Sequence, residues 1–292
     1  MVCNLCPRMC GAVRTADRGE GYCRMPDTPV LARAALHHWE EPPVSGTRGS
    51  GTIFFSGCSL GCVFCQNEEI SHRDMGKSVS MERLADICRE LVEQGAHNLN
   101  FVTPTHYAHV VKELLEGYRP GVPIVWNSGG YERVETLRSL EGLVDIYLPD
   151  LKYLDGDVAV RYSAAPDYPE AAVAAIREMV RQVGPCELDG DGLLKKGVVI
   201  RHLLLPGQLA GAKAVMDWAA REFGPGTVLF SLMSQYTPWG RANEFPELDR
   251  RLRASEIRAA QQYMDALELE GFVQDSESAG REYTPEFDLT GI

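Results

Sequence analysis

The chain has 292 residues, 45 % of them hydrophobic and 24 % charged, the balance of a globular protein with one large domain and an appendage. A formal charge of −12 argues against a basic nucleic-acid-binding face and reads as a solubility feature, and no apolar run approaches the roughly 18–20 residues that cross a bilayer. The start lacks the regions of a secretion signal, so a cytoplasmic location is expected, and nine cysteines in a reducing compartment point to metal rather than disulfides.

The first element is a cysteine-rich loop: Cys3-x2-Cys6-Pro7-x2-Cys10-Gly11, then Cys23, four cysteines within 21 residues. Four thiolates close a tetrahedral zinc site, and they equally hold a [4Fe–4S] cluster. The irregular spacing and the Cys-Pro dipeptide lean towards iron–sulfur, with zinc and unmetallated or redox-active thiols as alternatives. The segment has too few apolar residues to fold alone, so metal is expected to stabilise it. Glu40 to Gly51, rich in Pro and Gly, reads as a linker, giving an N-terminal metal-binding segment over 1–50 and a main domain over 51–292.

A β-rich run, Thr52–Ser56, feeds into Cys58-Ser59-Leu60-Gly61-Cys62-Val63-Phe64-Cys65. Three thiolates on one tight loop can ligate an iron–sulfur cluster while leaving one of its irons open for chemistry. Gly57 and Gly61 allow the backbone to wrap closely. Zinc fits less well because a structural site wants four ligands; three core cysteines brought together by chance is the remaining reading.

Ser80 caps a predicted helix that stops at Gly95 and buries Leu84, Cys88 and Leu91. A strand over Leu99–Val102 precedes Thr103-Pro-Thr-His and a helix to about Glu116. Further strands are expected at Pro123–Trp126, Val144–Leu148, Gly197–Leu205 and Thr227–Leu232. Helices are expected over Glu132–Leu140, Glu170–Val183 and Ser255–Glu270, the last ended by Gly271. Cys186 reads as incidental. Apolar strands alternating with helices give an α/β fold with a parallel sheet, and six of them fit a partial (β/α)6 TIM-type barrel.

In such a barrel functional groups gather at the C-terminal strand ends. The candidates there are Thr103, Thr105 and His106; Asn127 and Ser128; Asp150 and Lys152; Arg201; and Ser234, Gln235 and Tyr236. Thr103 and Thr105 also read as helix caps, Asp150 and Lys152 as a surface ion pair, and His106 and His109 as structural histidines. Alternation puts either Arg201 or His202 on the inner face, and Arg201 is the choice. A buried guanidinium needs an anion, and a ligand carboxylate would serve.

These motifs together resemble the radical S-adenosylmethionine (SAM) enzymes, through Cys-x3-Cys-x-Phe-Cys with Phe64 as the aromatic. The remaining motifs resemble the branch that activates glycyl-radical enzymes, specifically the pyruvate formate-lyase activating enzyme-like group. They are Cys-x2-Cys-Pro-Arg-x-Cys-Gly at the start, Asn-Phe-Val-Thr-Pro-Thr-His, Pro-Asp-Leu-Lys, Leu-Leu-Pro-Gly and Ser-Leu-Met-Ser-Gln-Tyr. The resemblance implies a [4Fe–4S] cluster on Cys58, Cys62 and Cys65, with SAM on its open iron. One-electron reduction by a flavodoxin- or ferredoxin-type donor would then yield a 5′-deoxyadenosyl radical. It also implies contacts of Thr103–Thr105 with the SAM amine and of Arg201 with the SAM carboxylate, while Asp150 and Lys152 match the activating enzymes' Asp-Leu-Lys. Phe64, Asn127, Ser128 and Gln235 complete the expected cofactor-binding set. The substrate expected first is a glycyl-radical protein, then another peptide, a nucleotide or a small molecule; a non-catalytic iron–sulfur carrier or metal scaffold is the alternative outside enzymology. Two departures weaken the transfer of substrate: Thr-Pro-Thr replaces the usual Gly-Gly-Glu, and the additional cysteines precede the signature loop.

Overall fold

The computed structural model describes residues 2–274 and 285–292. An irregular N-terminal segment leads into β1 (Val30–His37), the short helix α1 (Pro42–Ser45), β2 (Ser50–Phe55), α2 (Glu68–His72), β3 (Lys77–Ser78) and α3 (Met81–Glu93). There follow β4 (Leu99–Val102), α4 (Ala108–Gly117), β5 (Ile124–Ser128), α5 (Val134–Arg138), β6 (Ile146–Pro149), α6 (Gly156–Ser163) and α7 (Tyr168–Val183). The last group is β7 (Glu187–Leu188), β8 (Leu194–Leu203), α8 (Leu209–Glu222), β9 (Leu229–Met233), α9 (Ala254–Ala266) and β10 (Gly271–Gln274).

The sheet runs β10-β9-β8-β6-β5-β4-β2-β1-β3. Along this order neighbouring strands from β2 to β10 are parallel, β1 is antiparallel to both β2 and β3, and β7, off the path, pairs antiparallel with β8. With its helices this is a mixed α/β fold of the partial TIM-type barrel kind. All six predicted strands are present, their ends displaced by up to three residues. Two elements differ from expectation. Helix α9 stops at Ala266, and Gly271, expected to terminate it, opens the parallel edge strand β10. The stretch read as a linker contains α1 and the start of β2, while β1 pairs with β2 from Leu31↔Phe55 to His37↔Ser50. Strand pairing therefore runs across residue 50.

Alternation along the strands sorts two layers. Phe55, Phe101, Trp126, Tyr147 and Phe230 are fully buried towards the helices. On the opposite, inner face, Val125, Ile146, Leu148 and Val199 pack with Val44 of α1, which plugs the interior from below. Ser80 caps α3 as expected, its Oγ accepting from the Arg83 N–H at 3.2 Å, and Leu84, Cys88 and Leu91 are buried.

Residues 285–292 lie against β1. The Leu289 N–H donates to the Ala32 carbonyl and the Ala34 N–H to the Thr290 carbonyl, at 3.2 and 2.9 Å. Phe287 stands edge-on to Phe54, centroids 5.4 Å apart. Among the described residues no helix is long and apolar enough to cross a membrane.

Candidate active site

The cysteine loop follows directly from β2. Gly57 makes the first turn at φ +82°, and a β-carbon there would fall 2.3 Å from Met25 Cγ, so only glycine fits. The Gly57 N–H donates to the Ile70 carbonyl at 2.7 Å, and His106 Nε2 holds the preceding Ser56 carbonyl at 2.7 Å. Further along, the Gly61 and Val63 N–H groups donate to the carbonyls of Ser163 and Tyr162 at the end of α6, at 3.0 and 2.9 Å. Leu60, Val63 and Phe64 are buried and anchor the loop, Phe64 lying edge-on to Tyr236.

The three thiols stay half-buried between these anchors. Cys62 Sγ lies 3.0 Å from Ser163 Oγ, which in turn meets the Tyr153 hydroxyl at 3.1 Å. Cys65 Sγ is 3.7 Å from Ser71 Oγ. Burial pushes the Cys58 and Cys65 thiols up, the latter to about 11, with Cys62 adding to the effect and Lys152 opposing it. Without metal Cys58 and Cys65 stay protonated at neutral pH, so their ligation displaces protons. Among the described residues no three His, Cys, Asp or Glu side chains converge tightly enough for a single ion. Three soft thiolates that share one pocket suit a cluster, where each thiolate binds a different iron.

Beside the loop lies a buried charge network. Arg201, on the inner face as expected, places its Nε 2.9 Å and Nη2 2.8 Å from Asp150 Oδ1. Its Nη2 also donates to Asn127 Oδ1 at 2.7 Å and its Nη1 to Glu40 Oε1 at 3.3 Å, with Glu41 Oε2 at 3.8 Å. Glu40 Oε2 accepts from the side-chain amides of Asn100 and Asn127 at 2.8 and 3.0 Å. Lys152 Nζ meets Asp150 Oδ2 at 2.6 Å and lies within electrostatic reach of Cys62. Burial opposes ionisation of Asp150, but Arg201 and Lys152 outweigh it and hold this carboxyl below its usual range. Glu41 has only a distant cation, and burial pushes it up to about 7. The anion that a buried Arg201 requires is thus supplied by the chain itself, so its burial alone does not call for the ligand carboxylate expected to serve there. Asp150 and Lys152 are not a surface pair, since their side chains are only 15 % and 16 % exposed.

Thr105 and Ser128 belong on the other side of the sheet. Thr105 Oγ1 donates to Glu132 Oε1 at 2.7 Å, an oxygen that also accepts from Trp126 Nε1 at 3.2 Å. Ser128 Oγ accepts from the Gly130 N–H and also bonds Glu132. Both residues satisfy a buried carboxylate in the helix layer instead of facing the barrel interior. Thr103 remains at the strand end with φ +58°, strained for a β-branched residue by about 1–3 kcal/mol, its N–H held by the Asn127 carbonyl at 2.8 Å. Ser234 and Gln235 bond Gln274 and pin the end of β9 to β10, while Gln235 Oε1 is buried with no partner among the described residues. His106 and His202 are buried and engaged by backbone carbonyls, burial lowering them to about 3 and 4, so both are neutral structural groups.

Burial raises Glu132 to about 7 despite three donors. Its carboxyl ionises in the unfolded chain near 4.5 but resists doing so in the fold, so stability falls as pH rises between these values. Glu132→Gln is expected to remove that loss, gaining on the order of 2–3 kcal/mol relative to wild type between pH 5 and pH 8. Parallel denaturation curves at the two pH values check this.

The sequence profile described as "Radical SAM superfamily" matches residues 52–217, more than half of the chain. The chain belongs to the radical SAM superfamily. It is 30 % identical over 269 residues to the uncharacterised protein MJ0674 of Methanocaldococcus jannaschii, a match spanning 88 % of this chain and 72 % of that protein. Among solved structures, Streptococcus suis SuiB bound to S-adenosylmethionine shares the fold at a TM-score of 0.54 and 13 % identity over 77 % of this chain. The chain spans half of SuiB's length. Methylornithine synthase shares it at 0.51 and 17 % identity, over 81 % of this chain and 68 % of that one.

As a radical SAM enzyme, the protein uses a [4Fe–4S] cluster and SAM, and the signature loop has the donor set such a cluster needs. Several residues that pack around the loop and the charge network carry little recognisable signal in the sequence. Glu40 and Glu41 lay hidden in the apparent linker, Asn100 within a strand, and Ser163 at a helix end. A pair of acidic residues immediately before Pro-Pro, with apolar Val44 next, was the available signal for the first two.

Proposed function

We propose that this radical SAM enzyme acts on a protein backbone, generating a glycyl radical in a partner enzyme. The observation that carries the reading is Asp150-Leu151-Lys152, the counterpart of the activating enzymes' Asp-Leu-Lys, standing as a buried ion pair beside the cysteine loop. When bound, the cluster and SAM supply a one-electron cleavage that delivers a 5′-deoxyadenosyl radical for hydrogen abstraction. The chain's own groups do the positioning. His106 fixes the carbonyl that precedes the loop, and the end of α6 fixes its middle. Leu60, Val63 and Phe64 exclude water along one wall. Lys152, held by Asp150, sets a positive charge near the loop, and Arg201 with Asp150, Glu40 and Asn127 makes a rigid polar floor.

The expected result is that the anaerobically reconstituted protein, given dithionite and SAM, forms 5′-deoxyadenosine. With a glycyl-radical protein it should also form an organic radical whose paramagnetic-resonance splitting collapses when the glycine is deuterated. Formation of 5′-deoxyadenosine without such a radical on any glycyl-radical protein, together with turnover of another peptide or a small molecule, overturns the substrate reading and leaves the family chemistry standing.

A further inference from the structure

The N-terminal cysteines lie outside the loop just described. Their segment has no long helix or strand and is held by local bonds: Cys3 N–H to the Ala12 carbonyl at 2.9 Å, Gly11 N–H to the Cys3 carbonyl at 3.1 Å, and Met9 N–H to the Cys6 carbonyl at 3.1 Å. This winding gathers four thiols. Cys3 and Cys6 are 4 % and 8 % exposed. Cys10 Sγ packs on Gly21, where a β-carbon would sit 3.0 Å from it, two residues before Cys23. Cys6 lies within electrostatic reach of Cys3 and Cys23, and Cys23 of Cys3 and Cys10. All four are free thiols.

A buried cation faces them. Arg14 is 3 % exposed and its Nη1 stands 3.8 Å from Cys3 Sγ, while the same guanidinium donates to the Pro26 and His106 carbonyls. Buried thiolates need positive charge close by, and an iron–sulfur core together with this guanidinium supplies it. The same relation, thiols in mutual electrostatic reach within one pocket, holds at Cys58, Cys62 and Cys65, where the family places a cluster. Four thiolates also suit one zinc, and the metal taken up decides between the two.

This second site is built against the first. Arg8, between Cys6 and Cys10, donates through Nε to the Ser59 carbonyl at 2.8 Å and through Nη1 to the Ala164 carbonyl at 2.6 Å. Its guanidinium lies 3.9 Å above the Tyr22 ring. The Tyr22 hydroxyl fills the space where a Gly61 β-carbon would stand, and Met25 fills that at Gly57. Two residues on either side of Cys23 therefore abut the signature loop, and one residue between Cys6 and Cys10 bonds its backbone. We propose that Cys3, Cys6, Cys10 and Cys23 hold a second iron–sulfur cluster, closed by four thiolates, and that Arg8 makes its loading a positioning device for the signature loop. The proposal rests on family membership and not on the glycyl-radical reading.

The test uses the full chain and reads metal, not activity. The variant Cys58→Ala/Cys62→Ala/Cys65→Ala, reconstituted anaerobically with iron and sulfide, should retain a complete cluster, with iron and sulfide in equal amounts. Adding Cys10→Ser, an exposed position whose replacement leaves the core intact, should lose it on gel filtration. Uptake of one zinc with exclusion of iron, or of neither metal, overturns the assignment. For the coupling, Arg8→Gln in the otherwise native protein should keep the N-terminal cluster while a chelator strips the signature-loop cluster at least about tenfold faster, the range seen when partners of metal ligands are lost. Chelation rates equal to wild type overturn the positioning role. Because these readouts need no SAM, their failure is distinguishable from failure of the proposed function.

Discussion

A chain carrying Cys62→Ser will form no measurable 5′-deoxyadenosine from SAM and dithionite after anaerobic reconstitution. Serine preserves volume and the contact with Ser163, but its hydroxyl is a hard, protonated oxygen where iron–sulfur chemistry takes a soft thiolate. With one thiolate gone, two remain on the loop and a second iron loses its protein ligand. The effect on cluster retention should exceed the 10–100-fold expected from disturbing a neighbour of a ligand. Ser163→Ala supplies that comparison, since Ser163 Oγ lies 3.0 Å from Cys62 Sγ and holds no metal itself. Iron content and 5′-deoxyadenosine formation, measured on the two variants side by side, check the ordering. Product formation by Cys62→Ser near the wild-type rate would remove the loop from the chemistry.

The second large effect is expected at Arg201. Arg201→Met keeps the length of the side chain and removes the cation that Asp150, Glu40 and Glu41 share within 4 Å. Removing one partner of a buried ionic group leaves uncompensated charge and costs about 3–5 kcal/mol, or of order 10 °C in apparent Tm. The sign of the pH dependence follows from the groups that remain. In the wild type Arg201 holds Asp150 below its usual range, so that contribution is present at neutral pH and disappears as pH falls through the depressed value. Without Arg201, Glu41 loses its nearest cation and burial resists its ionisation still more, so the variant loses stability as pH rises from about 4.5 towards 7 and is least affected near pH 5. Glu40→Gln added to Arg201→Met should restore part of the loss at pH 7. Denaturation of the single and double variants at pH 5 and pH 7 checks both, and a Met variant within 1 kcal/mol of wild type at pH 7 sinks the account.

How far the sequence carried this reading depends on whether a signal is local. The signature loop is legible because its three cysteines lie within eight residues of chain, and the parallel strands because buried apolar runs need no distant context. Face assignment depends on parity. Asn127 and Arg201 follow inner residues Val125 and Val199 at a spacing of two, so they point inward as read. Ser128 is one step out of phase and belongs with Trp126, a consequence that counting along the strand already contained. Thr105 fails for another reason: the left-handed turn at Thr103 breaks the strand's alternation, and parity no longer tells where the next side chains go. Glu40 and Glu41 could not be found by pattern at all. Two carboxylates before two prolines resemble a solvated connector, and only the curl of the sheet brings Arg201, 161 positions from Glu40, over them.

The contact between β1 and residues 287–292 has a consequence for the order of assembly. One edge of β1 is taken by β2, close in sequence, and the other is met by the short β3 at Val30 and Leu31 only. The rest of its outer edge stays uncovered until a segment more than 250 residues later arrives to bond Ala32 and Ala34. A row of unpaired N–H and C=O groups beside Phe54 is a template for any passing extended chain. Left open, such an edge invites pairing between copies, and the segment that bonds Ala32 and Ala34 covers it.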